Sequence, residues 1–371
     1  KEMNLLCTSR SGEIPRAALE RRASALERDP GASMRLDVRS SEIDLGLLEG
    51  LSDRVRDVRG RMLLDVAVLG TVDDPHFAGR VDVSGAAFQV VASGARYRNG
   101  RLALQLATDR VQVVGLHLED EQAHPLDITG SLATHELRVE DLAVTIAARG
   151  FRLVRNEYGQ IDVNADLALR GEFESPRLQG RIAIAPSSIS VDRILDRTLS
   201  QPYSTSERPR PELDPLAVLN PWERMGLDVA LSIPGTLRMT GENVQISGVP
   251  LGLGDFNLRA IGDVYLYKDP GQPLYVTGSL DSVSGTYSFQ GRRFDLDPNS
   301  SINFRGDLFP ELYVMVRREI SGVEVRVTMS GTIREPELVL ASTPPLEPSD
   351  VLSLIVFNTS ANSLTALQQQ Q

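Results

Sequence analysis

Residues Val323–Phe357 read VEVRVTMSGTIREPELVLASTPPLEPSDVLSLIVF, and this stretch decides the fold. Its first part places valine or methionine at positions 323, 325, 327 and 329, with Glu, Arg, Thr and Ser following them in turn. Because successive side chains of a β-strand point to opposite faces, the alternation predicts a strand with one apolar face. A turn and a second alternating run near Glu337–Leu340 follow. The question is what covers the apolar face.

Composition limits the classes of protein to consider. The chain has 371 residues, of which 41% are hydrophobic and 24% are charged, which is typical of a folded protein. Its net charge of −11 argues against nucleic-acid binding and against a polybasic membrane patch. The sequence contains no run of 18 apolar residues, so it predicts no membrane-spanning helix. Since the chain begins with Lys1, we expect it to be a segment of a longer protein.

The N-terminal region differs from the rest. We interpret residues 1–35 as a helical or irregular lead-in from a longer protein, with a short peripheral helix in Pro15–Gly31. Ile43–Val55 could hold another helical turn or two. Residues 36–371 then form one β domain, interrupted by a proline-rich loop near Gln201–Pro221 that has no periodicity.

Alternating runs fill most of the chain after Val58. Examples are GRLALQLATDRVQVVGLHLED, IDVNADLALRG, GRIAIAPSSISV and ELYVMVRREISGVEVRVTMSG, with Gly, Pro, Asn or Asp at intervals of about ten residues. The pattern predicts an all-β fold made of meanders.

A weak internal repeat supports a modular architecture. The stretches that start at Gly70 and Gly171, GTVDDPHFAGRVDV and GEFESPRLQGRIAI, both place Pro five residues after Gly, and Gly-Arg four and five residues after that Pro. The stretch at Gly331 keeps the first spacing but lacks Gly at the position of the second Gly. We interpret the first Gly as ending a strand and the second Gly as starting the next.

Four arrangements would deal with the apolar face of such a sheet. They are a two-sheet sandwich, a barrel with an apolar core, a barrel facing lipid, and a sheet curled into a trough that holds an apolar guest. One Trp and eight Tyr are too few for the aromatic girdles of a lipid-facing barrel. Periodicity leaves the sandwich and the trough open, since both need alternation.

From about Leu36 onward the chain resembles the C-terminal domain of the TamB family, the translocation and assembly module subunit of Gram-negative bacteria. Three stretches carry the resemblance: GTVDDPHFAGRVDVSGAAFQV, GSLDSVSGTYSFQGRRFDLDPNSSINFRGDLFPELYV, and VTMSGTIREPELVLASTPPLEPSDVLSLIVF. The family usually has Gly shortly after the last apolar run, whereas this chain has NTSANSL after Phe357. The end of that terminal element therefore departs from the family pattern, and Gln201–Pro221 looks like an insertion.

The resemblance implies a fold, a location and partners. The fold would be a long curled β-sheet trough, or β-taco, that is polar outside and apolar inside. The protein would be periplasmic, as part of a longer chain anchored in the inner membrane, with an outer-membrane β-barrel of the BamA superfamily, TamA or a relative, as its partner. Its activity would be assembly of outer-membrane proteins, transport of phospholipid between the membranes, or both.

A trough of this kind fits lipid carriage physically. Each buried methylene is worth roughly 0.8 kcal/mol, so an acyl chain resists entering water by on the order of 10 kcal/mol, and an apolar groove removes most of that barrier. An ordinary sandwich core would use the same residues. The predicted groove positions are alternating aliphatic residues: Leu102, Leu104, Leu106, Leu167, Leu169, Ile182, Ile184, Leu312, Val314, Val316, Val323, Val325 and Val327.

The C-terminal stretch is the predicted docking region for the barrel partner. A final strand near Glu337–Leu340 could add to an exposed strand of the barrel. The run PSDVLSLIVF can form a strand or a helix; as a helix it would have Ser349 or Asp350 as N-cap and present Leu352, Ile355 and Val356 on one face, or plug the end of the trough. The predicted docking residues are Leu338, Leu340, Val351, Leu352, Leu354, Ile355 and Phe357.

Signals for catalysis are weak. The four histidines, at positions 76, 117, 124 and 135, lack metal-binding spacing, and there is no cysteine cluster, G-x-S-x-G motif or P-loop. We therefore predict a protein that is not an enzyme and needs no cofactor or metal. The leading function is a bridge or chaperone that shelters phospholipid acyl chains or nascent barrel strands. The alternative is a structural or adhesive β-repeat protein without cargo, and a hydrolase ranks third.

Overall fold

The computed structural model is an all-β protein, as predicted. No helix among the described residues is both long and apolar enough to cross a membrane. The predicted helix Pro15–Gly31, and the predicted loop up to residue 220, lie outside the described residues. The trough with an apolar interior stays a prediction. The structure describes residues 2–7, 34–51, 53–70, 75–135, 138–194, 221–244, 254–289, 291–332 and 335–358.

The chain divides into two compact units. The first contains residues 1–154, 163–180 and 220–227, and the second contains residues 155–162, 181–219 and 228–371. We describe each unit by itself.

Consecutive antiparallel hairpins form most of the first unit. Strands β4 to β9 pair each with the next in chain order, β2 pairs with β4, and β1 runs parallel to β2. The 3-10 helix confirms the helical turn expected within residues 43–55. The elements, in chain order, are β1 Glu2–Cys7, β2 Met34–Ser40, β3 Ile43–Asp44, the 3-10 helix Leu45–Leu51, β4 Val55–Gly70, β5 Pro75–Val90, β6 Arg96–Ala107, β7 Arg110–Asp120, β8 Pro125–His135, β9 Arg138–Asn156, β10 Gly159–Glu172, β11 Arg177–Ile184, β12 Ser187–Ser190 and the helix α1 Pro221–Arg224. Of these, β12 lies in the second unit, and β9, β10 and β11 lie partly in each unit.

Antiparallel pairs also dominate the second unit, which ends in a helix. β14 pairs with β15, which pairs with both β16 and β17; these two pair with β18, followed by β19 and β20, while β12 runs parallel to β13. The elements are β13 Gly226–Val244, β14 Gly254–Lys268, β15 Tyr275–Phe289, β16 Arg292–Leu296, β17 Ser301–Arg305, β18 Glu311–Ile320, β19 Val323–Thr332, β20 Pro336–Thr343 and the helix α2 Pro348–Phe357.

The three repeat stretches share one backbone geometry at their first glycine. Gly70, Gly171 and Gly331 have φ angles of 97°, 105° and 90°, and each lies at or near the end of a strand. The interpretation that the second glycine starts a strand was wrong. Gly79 lies inside β5 and Gly180 inside β11.

Close backbone packing explains the interior position of these second glycines. Gly79 and Gly180 have φ angles of 136° and 138°, which side chains rarely tolerate. A Cβ at Gly79 would overlap the carbonyl oxygen of Asp65 on β4, and a Cβ at Gly180 would overlap that of Asp166 on β10. The repeat therefore marks a point where neighbouring strands approach closely, rather than a turn.

Residues Pro348–Phe357 are a helix, which settles the choice between helix and strand. The predicted N-cap was wrong, because the cap is Glu347, whose side chain makes no capping hydrogen bond, and Pro348 provides the helical start. At the other end Asn358 adopts the left-handed conformation, with φ of 63°, and its N–H donates to the carbonyl oxygen of Leu354. Asn358 thus does what Gly does in the family pattern.

Candidate functional site

Strand register in the first unit brings aliphatic side chains of six neighbouring strands onto one face. Residues paired directly across antiparallel strands point to the same side of the sheet. Leu104 of β6 pairs with Val81 of β5 and with Val113 of β7. Following these pairs from β4 to β9 gives the row Leu64, Val81, Leu104, Val113, Gly130 and Val144.

Two further rows flank this one and contain Leu102 and Leu106. The first of them is Met62, Val83, Leu102, Leu116, Ile128 and Ile146. The second is Val66, Gly79, Leu106, Val111, Leu132 and Leu142. We call the three rows together the aliphatic rows. Apart from Leu142, which is buried, their side chains are half-buried, so much of this apolar face is still in contact with solvent.

The residues between the aliphatic rows are polar. Asp65 pairs in register with Arg39 and with Arg80, and Arg80 pairs with Gln105. Arg39 Nε lies 3.1 Å from Asp65 Oδ1, and both side chains are exposed. Exposed ion pairs of this kind contribute little to stability, about 0–1 kcal/mol each. They mark the opposite face as the solvated one, which leaves the aliphatic rows as the face that needs a partner.

Three aromatic residues pack together in the same unit, near the ends of β5, β6 and β9. Phe88 and Tyr97 meet edge to face at 5.5 Å between ring centroids, and Tyr97 stacks on Phe151 at 5.0 Å. The Tyr97 hydroxyl donates to the carbonyl oxygen of Arg152, 3.0 Å away. Burial, together with the charge of Asp120, raises the pKa of Tyr97. Phe151 is 1% exposed, whereas Phe88 and Tyr97 are half-buried, so the cluster packs three strands of this unit against one another.

Asp120 anchors the same end. Its side chain is fully buried and accepts hydrogen bonds from the backbone N–H groups of Gln122, His124 and Arg152 and from His124 Nδ1. Burial by itself favours the protonated acid, but these donors outweigh it and lower the pKa of Asp120. Since every contact satisfies a neighbouring turn or strand, Asp120 holds structure and offers no free group for chemistry.

The predicted groove residues of β10 and β11 are half-buried as well. Leu167 and Leu169 belong to the first unit, where Leu167 packs beside Gly180. Ile182 and Ile184 belong to the second unit, where the carbonyl oxygen of Ile184 accepts a hydrogen bond from Thr236 Oγ1 at 3.0 Å.

In the second unit the apolar face contains a small cleft. Leu312 pairs with Ile302 of β17, which in turn pairs with Leu280 of β15. The cleft has a volume of about 30 Å³, room for a few small groups. Its main apolar lining comes from six strands: Met239, Leu258, Leu280, Leu296, Ile302 and Val314. Of the predicted groove residues, Val314 lines this cleft and Leu312 lies in the adjoining row.

The helix α2 covers the rest of this face. Val351, Leu354 and Ile355 are 0%, 5% and 1% exposed, which corrects the predicted face of Leu352, Ile355 and Val356. Apolar residues lie on more than one side of this helix, since Leu352, Val356 and Phe357 are half-buried as well, so hydrophobicity alone did not specify which of them would pack. We call its contact region the α2 cluster. Its buried members are Phe289, Phe294, Val316, Ile320, Val325, Val327, Val351, Leu354 and Ile355, with Val323, Leu296, Tyr287 and Leu340 against them.

The predicted docking residues fall into two environments. Val351, Leu354 and Ile355 are buried in the α2 cluster, against which Leu340 packs, and Leu352 and Phe357 are half-buried. Leu338 is 41% exposed on β20, and its neighbour Val339 is 54% exposed. The exposed candidates therefore lie on β20, which pairs along its length with β19.

Sequence reasoning missed two features of the second unit. The aromatic residues Phe289 and Phe294 provide the largest side chains of the α2 cluster. Two arginine pairs, in the sequences GRRF and VRRE, place Arg292 and Arg318 beside that cluster. Alternation with Phe294, Val316 and Ile320 places both arginines on the apolar face, a signal that the sequence analysis did not use.

The described residues hold no group of three His, Cys, Asp or Glu side chains placed to bind a metal ion. His117 lies on the surface with Nδ1 at 2.7 Å from Asp127 Oδ1 and Nε2 at 3.5 Å from Glu119 Oε1. The hydrogen bond to Asp127 is the main cause that raises the pKa of His117. This cluster is an exposed ion-pair network on the polar face.

Comparison with protein families identifies a domain family. The profile of the TamB C-terminal domain matches residues 115–371, which is more than half of the chain. A search of curated proteins found no match.

Proposed function

Because the chain belongs to the TamB C-terminal domain family, we propose that its aliphatic rows shelter the acyl chains of phospholipids moving between two membranes. The family acts in outer-membrane assembly or lipid transport in the Gram-negative envelope and is not enzymatic. The finer assignment is ours: a periplasmic segment of a longer, inner-membrane-anchored protein, with phospholipid as the main cargo.

One observation carries the proposal. The aliphatic rows extend in register over six strands, and yet nearly all their side chains are only half-buried. A continuous aliphatic face that keeps partial contact with solvent is the kind of surface that marks a ligand or partner site. Its members are aliphatic and carry no charge, which suits a flexible hydrocarbon chain better than a partner that needs polar contacts.

The energetics support a passive conduit. Moving an acyl chain through water costs on the order of 10 kcal/mol, because each exposed methylene contributes roughly 0.8 kcal/mol. As a lipid acyl chain moves along the aliphatic rows, it exchanges one aliphatic contact for another, so its free energy stays nearly constant. No chemical step is needed, so the direction of transport depends on the supply and removal of lipid at the two ends.

Lipid extraction from the purified protein tests the proposal. We expect mass spectrometry to detect phospholipid bound to the wild-type protein, and much less on a Leu104→Asp variant, because the new carboxylate sits in the central row. The matched control is Gln105→Asp, which changes the adjacent residue on the polar face and should keep its lipid. Equal lipid content in all three proteins, or none in the wild type, would contradict the proposal.

A cargo of nascent outer-membrane strands is the second candidate, and a structural or adhesive role without cargo is the third. Strand cargo is favoured by the long strands of the sheet, since an added strand could pair with them by backbone hydrogen bonds. The strand-cargo hypothesis predicts that the wild-type protein captures unfolded barrel segments and that Leu104→Asp captures them equally well. Absence of any bound lipid or peptide would favour the structural role.

We further propose that β20 is where the outer-membrane partner docks. The family works with an outer-membrane partner. β20 is the last strand of the described chain, and it exposes Leu338 and Val339 while most of the predicted docking residues on α2 are buried. A barrel of the BamA superfamily could therefore add a strand to β20 without unpacking α2.

Site-specific photocrosslinking tests this docking. A crosslinker at Val339 should label the barrel partner, whereas one at Thr328, its paired residue on the neighbouring strand β19, should label it much less. Equal labelling, or labelling from α2 positions only, would contradict docking at β20.

A further inference from the structure

Two arginine pairs lie side by side in the second unit. Arg292 and Arg293 begin β16, and Arg317 and Arg318 lie near the end of β18. The two strands are antiparallel neighbours, with Asp295 in register with Arg317. Arg318 Nη1 donates to the carbonyl oxygen of Arg293 at 2.7 Å, which shows that the two pairs meet. Four cationic side chains are thus gathered at one end of β16 and β18.

The pairs divide between the two faces of the sheet. Arg292 alternates with Phe294, and Arg318 lies between Val316 and Ile320, so both share the face of the α2 cluster. Both are half-buried, whereas Arg293 and Arg317 are exposed on the opposite face. We call Arg292 and Arg318 the inner pair, and Arg293 and Arg317 the outer pair.

The inner pair has no anionic partner among the described residues. Arg292 Nη2 reaches only the carbonyl oxygen of Val356, at 3.5 Å near the end of α2, and Arg292 Nε is buried without any hydrogen-bond partner. Arg318 donates to backbone alone. The charged residues nearest in sequence on these strands, Asp295 and Glu319, are exposed on the opposite face.

Charge and hydrogen bonding therefore both point to a missing anion. A buried N–H without a partner destabilises the fold, so natural proteins rarely keep one without a reason. A chain with 50 acidic residues and a net charge of −11 has many carboxylates to neutralise an arginine, but none of those in the described segments is placed here. Guanidinium groups bind phosphate oxygens strongly, because their N–H groups match them in pairs.

We propose that the inner pair binds the phosphate of a phospholipid headgroup. The site deepens the proposed lipid function and rests on it, because the apolar α2 cluster beside the arginines suits an amphiphile and not a free ion.

The test compares a charge change on each face of the same two strands. The probes for the full chain are a fluorescent phosphatidylglycerol, a diacylglycerol with the same chains and fluorophore but no phosphate, and inorganic phosphate alone. The variants are the inner double substitution Arg292→Gln with Arg318→Gln and the outer double substitution Arg293→Gln with Arg317→Gln. Thermal unfolding of both establishes that they are folded, and Arg292→Lys with Arg318→Lys restores the charge without the guanidinium geometry.

We expect the inner double variant to bind phosphatidylglycerol at least tenfold more weakly and the outer variant to change affinity less than threefold. The lysine variant should lie between. Diacylglycerol should bind all variants alike, and inorganic phosphate should neither bind at millimolar concentration nor displace the lipid.

Three results would overturn the site. Equal loss of phosphatidylglycerol binding in the inner and outer variants would show that the arginines act only through general electrostatic attraction. No loss in either variant would show that the inner pair does not bind the phosphate. Inorganic phosphate binding as tightly as the lipid would assign the pair to a free anion. The proposed function fails separately, when neither phosphatidylglycerol nor diacylglycerol binds the wild-type protein.

Discussion

In the first unit, Leu104 and Val113 lie on an aliphatic sheet face and are half-buried, whereas in the second unit Val325 and Val327 lie on a similar face and are buried beneath α2. The strands have the same alternation in both regions. The difference is that α2 covers the face in the second unit, whereas in the first unit the described residues leave the aliphatic rows partly accessible. Periodicity therefore identifies an apolar face, but its function depends on what lies over it.

The largest expected effect comes from a substitution that disrupts the packing of α2 on the sheet. Val351→Asp places a carboxylate at a fully buried position of α2, where it has no partner in the α2 cluster. We expect the second unit to lose about 3–5 kcal/mol of stability, measured by hydrogen exchange of β19.

The matched control for this test is Ser349→Asp on the exposed side of the same helix, near its N-terminus. A carboxylate is tolerated there, so the change should stay within about 0.5 kcal/mol. Similar exchange rates in the two variants would mean that α2 does not hold the cluster together, and the contrast between the regions would then disappear.

A second test truncates the same residue type in both regions. Val325→Ala removes methyl groups from a side chain that is 0% exposed and leaves a cavity, so we expect a loss of about 2–3 kcal/mol. Val113→Ala removes them from a half-buried side chain and should cost about 1 kcal/mol or less. Hydrogen exchange resolved by strand measures each loss in its own unit. Equal costs would show that the aliphatic rows are an ordinary packed core.

The structure explains why the sequence predicted some of this and not the rest. Strands such as β19 and β20 follow from local alternation, and the glycine spacing identified the repeat. Val325 and Ile355 belong to one cluster although they lie thirty residues apart, and the apolar residues of α2 lie on more than one side of the helix, so local alternation does not identify the packed face. The inner arginines were missed because alternation was used to find aliphatic residues only.

A third test addresses the close approach of β4 and β5 at the repeat glycine Gly79, in the first unit. Gly79→Ala should cost about 2 kcal/mol, since the Cβ meets the carbonyl oxygen of Asp65 as well as the strain of a positive φ. Gly85 provides the control, because its φ is also positive but open space surrounds it. Gly85→Ala should therefore cost only about 1 kcal/mol. If thermal unfolding shows that Gly79→Ala destabilises the protein no more than Gly85→Ala does, the close approach is not required for folding of these strands.

The smallest effect is the pH dependence of the two regions. The pKa of Asp120 is lowered in the folded first unit, so its stabilisation is present above the unfolded pKa and is lost as pH falls through the folded pKa. The α2 cluster holds instead Tyr287, whose pKa burial raises to about 12, so it remains neutral in acid. Below pH 4 we expect faster hydrogen exchange in β7 than in β19, and the Asp120→Asn variant should lack this acid step. An acid step of equal size in Asp120→Asn would assign it to another carboxylate.

The most direct measurement of the central claim is photocrosslinking of the aliphatic rows in cells. A crosslinker at Leu104 faces the proposed conduit, and one at Gln105 faces the solvated side of the same strand. The account predicts that Leu104 labels phospholipid and that Gln105 does not. Labelling of other segments of this chain from Leu104, with no lipid, would contradict it.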